Sequence, residues 1–145
     1  MKRANKGFTL IEVMITVAIL SILATIAYPS YTDYIIRGRI PEALAELANR
    51  RVIAEQFFMD NRTYAGVCTP INALGNTKYF TYVCTVTGGG TGYLLTATGI
   101  DSMTGFVYTV NSINDQATTS VNASWSGDTP TPSTCWIIRR GGLCA

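Results

Sequence analysis

Three patterns of apolar and polar positions follow one another along the chain. From Phe8 to Tyr28 there are 21 residues without Lys, Arg, Asn, Gln or Asp, and a helix of that length covers the ~30 Å hydrocarbon core of a bilayer. From Pro29 the sequence turns polar but keeps a helical period, with Ile36, Ile40, Ala43, Leu44, Leu47, Ala54, Phe57 and Phe58 on one face. The two stretches predict one helix from about Phe8 to Asp60, which Pro29 and Pro41 should each kink and Gly38 should loosen. Its second half is amphipathic. Glu42, Glu46, Arg50, Arg51 and Glu55 lie opposite the apolar stripe, with Glu46–Arg50 and Arg51–Glu55 at i,i+4 spacing, as expected of a solvated face.

Beyond Asn61 the chain is rich in Thr, Gly, Asn and Ser, with short alternating runs between turn signals. Residues 78–87, 92–99, 105–113 and 117–125 read as an antiparallel meander, turned at Gly88-Gly89-Gly90, Asp101–Gly105 and Asn114–Gln116. One long helix covering one face of such a sheet is an α+β fold in two layers. The expected divisions are a leader at 1–7, a spanning helix at 8–28, the amphipathic half at 29–61 and a β-sheet head at 62–145.

Composition then narrows the chemistry. The formal charge is +2, but three of the eleven basic residues, Lys2, Arg3 and Lys6, precede Phe8, leaving eight against nine acids. That balance argues against a head held to nucleic acid by a broad basic face. The three leading cations should stay cytoplasmic and send the rest of the chain across the membrane. The sequence has no histidine, the commonest general base and metal ligand. It also has no paired-acid motif and no glycine loop opening a helix, since Gly88–Gly92 links two strands. The chain therefore reads as a protein that is not an enzyme and needs no cofactor or metal. Its four cysteines, Cys68, Cys84, Cys135 and Cys144, contain no C-x-x-C pair, and outside the cytoplasm disulfides are expected of them. Three pairings are open to four cysteines; the expectation takes the two local ones, Cys68 with Cys84 and Cys135 with Cys144.

One residue in the apolar run demands a reason. Glu12 lies near its start, and an acid deep in a bilayer costs at least ~2.5 kcal/mol on insertion scales and is usually functional. A secretory signal peptide with cleavage near Thr25-Ile26-Ala27, or a plain signal anchor, leaves that acid unexplained.

The stretch "KGFTLIEVMITVAILSILATIAYPSY", Lys6 to Tyr31, resembles the signal of type IV prepilins. The resemblance implies cleavage by a prepilin peptidase between Gly7 and Phe8, N-methylation of Phe8, and a buried glutamate at Glu12. Cutting before Phe8 creates an α-ammonium with an unperturbed pKa near ~8. Between bundled helices that cation can pair with Glu12 of a neighbouring copy and fix the axial register. Removing one partner of a buried pair costs ~3 to 5 kcal/mol. Thr9 can add a hydroxyl hydrogen bond.

By the same resemblance the partners are other pilin subunits, the peptidase, an inner-membrane assembly platform, and membrane lipid before assembly. The stretch around Pro29 would unwind in the fibre. The location would be the inner membrane with the N-terminus cytoplasmic, then an extracellular pilus. "YLLTATG", "GFVYTV" and the terminal "CWIIRRGGLC" resemble PilE-like and minor pilins, in which a C-terminal disulfide loop is the counterpart of Cys135–Cys144. The expected function is a structural subunit of a type IV pilus, of the minor class, with a type II secretion pseudopilin, or a DNA-binding or adhesive minor pilin, as alternatives.

Tyr28, Tyr31 and Tyr34 suit either an aromatic belt at the headgroups or contacts between subunits. Arg139 and Arg140, near Trp136 in the terminal loop, suit a surface contact with DNA, an anionic surface or a neighbouring subunit. A soluble hairpin turn accounts for them as well.

Overall fold

The computed structural model describes residues 7–145, so the leading cations and all of the expected leader except Gly7 lie outside the described residues. A 52-residue helix, α1 (Leu10–Asn61), runs through Pro29, Gly38 and Pro41 without interruption. The chain divides into two units, one ending at Ile35 and the other running from Ile36 to Ala145.

In the described part of the first unit the apolar side chains are exposed: Leu10 is 80% exposed, Ile26 72% and Tyr28 73%. Among the described residues of this unit nothing buries them. Its hydroxyl side chains turn inward on the helix, Thr16, Ser21 and Thr25 donating to the carbonyls of Val13, Val17 and Ile22. That satisfies their polar groups without water, as a lipid-facing helix requires.

The second unit packs the rest of α1 on a sheet. A short helix, α2 (Cys68–Asn72), follows α1, and then come β1 (Phe80–Thr87), β2 (Gly92–Gly99), β3 (Val107–Asn111) and β4 (Gln116–Ser120). They form an antiparallel meander in the order β1-β2-β3-β4. Alternation puts Phe80, Tyr82, Cys84, Tyr93, Leu95, Ala97, Tyr108 and Val110 inward, where they meet Ile40, Ala43, Leu47 and Ala54 of α1 in one core. Gly88, Gly89 and Gly90 all have positive φ in the β1–β2 turn, a conformation that costs glycine little. The α+β two-layer plan is the one the pattern predicts.

Two elements differ from the sequence reading. The fourth strand ends at Ser120, and Ala123–Ser126 is a helical turn, α3, capped by Asn122. The Asn122 side chain accepts from the N–H of Trp125 at 3.2 Å, turning the chain so that Trp125 enters the core edge-on to Phe106. The polar face of α1 is the second correction, because it is largely not solvated. Glu42 accepts from the Tyr79 N–H at 3.1 Å, and Glu55 accepts from the hydroxyls of Tyr93 and Tyr64 at 2.8 and 3.0 Å. Arg50 is 1% exposed, donating to Glu46 at 2.9 Å and to the carbonyls of Ile71 and Gly75. Residues 62–79 wrap over this face, so the polar side chains become clamps.

The chain ends in a hairpin of β5 (Ile137–Arg139) and β6 (Leu143–Cys144). Disulfides join Cys68 to Cys84 and Cys135 to Cys144.

Candidate assembly site and the surface of the head

The N-terminal site is built by the start of α1. Thr9 precedes the first helical residue, and its backbone N–H and its hydroxyl both donate to Glu12 Oε2 at 2.9 Å. The Glu12 N–H donates back to the Thr9 hydroxyl at 3.3 Å. This reciprocal arrangement is a capping box, with Thr9 as N-cap and Glu12 three residues on. It satisfies donors that a helix start leaves without partners, which matters most where water is absent.

Glu12 therefore has a role inside its own chain that insertion cost alone does not disclose. The signal was legible as Thr9-x-x-Glu12, and the sequence reading gave Thr9 only a hydroxyl bond. Both contacts go to one carboxylate oxygen, and an ionised carboxylate has about four acceptor sites, so capping leaves it able to receive an outside cation. Phe8 is 88% exposed and lies with Gly7 before the helix. Gly7, Phe8, Thr9 and Glu12 line a shallow hollow.

At the head's terminal hairpin the predicted residues separate. Arg139 and Arg140 are exposed, and Arg140 Nε lies 2.8 Å from Asp128 Oδ2. Trp136 is 8% exposed and donates its Nε1–H to the Thr109 carbonyl at 2.8 Å. Its ring is part of the core, so the arginines have no exposed aromatic partner there. The hairpin is fastened by Tyr108, whose hydroxyl donates to Ile137 O at 3.0 Å, and by Gly141, whose N–H donates to Thr129 Oγ1 at 3.0 Å. Pro29 lies in the exposed first unit; Pro41 is exposed on α1 of the second. Among the described residues no cluster of His, Cys, Asp and Glu could hold a metal ion.

An apolar helical segment exposed over its described residues, opened by a Thr-x-x-Glu cap and joined to a four-stranded head with a C-terminal disulfide, is the plan of a type IV pilin. Residues 2–28 match the prokaryotic N-terminal methylation motif. The chain belongs to the family described as "Type IV minor pilin ComP, DNA uptake sequence receptor", whose model matches residues 29–107.

Among curated relatives, fimbrial protein EcpC of Eikenella corrodens is 37% identical over 104 residues, covering 68% of this chain and 65% of that protein. A fimbrial protein of Pseudomonas aeruginosa is 43% identical over 68 residues, covering 47% of this chain and 44% of that one. The chain thus spans less than two thirds of the length of either relative. A type IV pilin from Shewanella oneidensis of known structure aligns with a TM-score of 0.45 at 20% identity, over 56% of this chain and 89% of that one.

Proposed function

We propose that the chain is a structural subunit of a type IV pilus, of the minor class, cut between Gly7 and Phe8 by a prepilin peptidase and methylated on Phe8. The observation that carries this reading is the exposed apolar helix whose first turn combines the methylation motif with a carboxylate. Before assembly the segment from Phe8 to Tyr28 spans the inner membrane with the cytoplasmic end first, and Tyr28, Tyr31 and Tyr34 meet the headgroups. An inner-membrane platform then moves the subunit into the fibre. There the new ammonium at Phe8 pairs with Glu12 of a neighbour, Thr9 keeps that carboxylate oriented, and the helix bends at Pro29 and Pro41.

Mass spectrometry and amino-terminal sequencing of protein sheared from the cell surface test this. A methylated Phe8 at the amino terminus is expected. A start near Tyr28 would assign the chain to ordinary secretion instead.

A second reading, DNA binding by the head, is favoured by the family description of a DNA uptake sequence receptor. Arg139 and Arg140 are the exposed cations of the terminal hairpin, and they would contact phosphate without help from Trp136. The test compares DNA retention by fibres with both arginines intact or replaced by alanine. Equal retention removes these two residues from the reading.

A further inference from the structure

The sheet has two edges, and each meets a segment of its own chain. β1 pairs with β2 from Phe80–Gly99 to Thr87–Gly92, and an antiparallel ladder turns the backbone groups of alternate residues away from the partner strand. On β1 the outward set is Phe80, Tyr82, Cys84 and Val86. The N–H of Tyr82 donates to Asn76 Oδ1 at 3.1 Å, and that of Cys84 donates to Asn72 Oδ1 at 2.8 Å. Asn72 Nδ2 donates in return to the Cys84 carbonyl at 3.4 Å, so one side-chain amide makes the two-point pairing that a neighbouring peptide would make. Thr77 adds a bond from its N–H to Phe80 O at 3.0 Å.

This cover is fixed from both sides. Arg50 holds the carbonyls of Ile71 and Gly75, and the disulfide ties Cys68 to Cys84, the residue whose backbone Asn72 occupies. The β4 edge is treated alike: Thr118 and Ser133 exchange backbone bonds of 3.1 and 2.9 Å, the Thr118 hydroxyl donates to Cys135 O at 2.9 Å, and Cys135 is joined to Cys144.

An uncovered strand edge is a template for another chain. We propose that Asn72 and Asn76 form a surrogate strand that shuts β1 against β1 of a second copy of this chain, with the Cys68–Cys84 bond as its fastener. The occupant is a second copy because β1, "FTYVCTVT", has eight residues with no charge, no proline and no glycine, a sequence that adds to itself readily. Two such edges meet antiparallel about a two-fold axis, giving a self-complementary contact. Opening the cover leaves Tyr82 and Cys84 with donors that only water or a second copy can satisfy.

The test uses the full chain in detergent micelles at matched concentrations. Sedimentation velocity and the amide I infrared band are compared for wild type, the pair Asn72→Ala and Asn76→Ala, and the pair Cys68→Ser and Cys84→Ser. Each altered pair should raise head-to-head association by about tenfold or more, with an intermolecular sheet band and with amide exchange at positions 82 and 84 slowing as association rises. Adding Val86→Pro removes an outward donor without breaking a β1–β2 bond, and should restore the wild-type distribution. Association unchanged by that proline, or no association while the head stays folded, overturns the proposal. Should the alanine pair unfold the head, Asn76→Ala alone opens only the Tyr82 N–H and is judged by the same two outcomes.

Discussion

Replacing Arg50 with alanine is the sharpest test of how the head is held together. The guanidinium is 1% exposed, 3.0 Å from Ile71 O, bonded to Gly75 O, 2.9 Å from Glu46 Oε1 and 4.4 Å from the centre of the Tyr82 ring. Each carbonyl loses a charged donor, a bond that contributes about 1.5 to 3 kcal/mol. Glu46 keeps a quarter of its side chain in water, so its share is held to under about 1 kcal/mol. These terms overlap, and the expected net loss is about 3 to 5 kcal/mol, the range for breaking a buried charge pair. Trp125 and Trp136 both lie in the head's core, so their fluorescence follows its unfolding in urea. With a slope of about 1 to 3 kcal/mol per molar, the midpoint should fall by about 2 M. Arg50→Met restores volume without donors and should recover less than half of the loss; Arg139→Ala, at an exposed site, should shift stability by no more than about 0.5 kcal/mol. A wild-type midpoint for Arg50→Met would refute the assignment of Arg50's contribution to its hydrogen bonds.

Burial holds the phenols of Tyr64, Tyr82, Tyr93 and Tyr108 above their usual value, with hydrogen bonds to Glu55 adding to the effect at Tyr64 and Tyr93. The folded head therefore binds these protons more tightly than the unfolded chain, so stability is intact below pH ~10 and falls as pH rises from there through the folded values. Urea midpoints measured across that range, beside tyrosinate absorbance, should show these four ionising as the head unfolds. Glu12→Ala should leave cleavage after Gly7 intact and reduce fibre yield, and Glu12→Gln, which keeps the shape without the charge, should also assemble poorly; wild-type yield from both, measured in the sheared fraction, would remove ion pairing as the source of register. Asn122→Ala should cost about 1 kcal/mol of head stability through loss of the α3 cap, and Asn122→Asp should retain most of it, as read from the same fluorescence transition.

Much of the architecture was legible because local signals and packing agree. The apolar period that ran to Asp60 placed the end of α1 within a residue of Asn61, and the glycine run at 88–90 marked the first turn of the meander. The fourth strand was read too long because "ATTSVNASW" alternates throughout. Asn122 interrupts that pattern as a helix cap, and the backbone of Gly105 lies too close to Asn122 for any side chain there. Glu46 and Arg50 do pair at i,i+4 as their spacing suggested, yet spacing carries no information about what will fold over the pair. Sequence proximity groups Trp136 with Arg139 and Arg140 as a surface contact, yet its ring is buried, and the Thr109 carbonyl that receives its N–H is 27 residues away in sequence.

The clamps on α1 explain why its polar residues face inward at all. The apolar stripe of the second unit includes Ala43 and Ala54, small side chains that let helix and sheet approach closely but specify rotation poorly. Hydrophobic burial is non-directional, and a stripe with small members can slide or turn at little cost. Glu42 on the Tyr79 N–H, Arg50 on the carbonyls of Ile71 and Gly75, and Glu55 on two tyrosine hydroxyls are directional contacts. They are spread over ~20 Å of helix. A shift by one residue would rotate the helix by about 100° and leave all three groups without partners. Register of the helix against the 62–79 connection and the sheet thus rests on polar contacts at three heights, of which Glu55–Tyr93 reaches a strand, while the apolar contacts supply most of the burial.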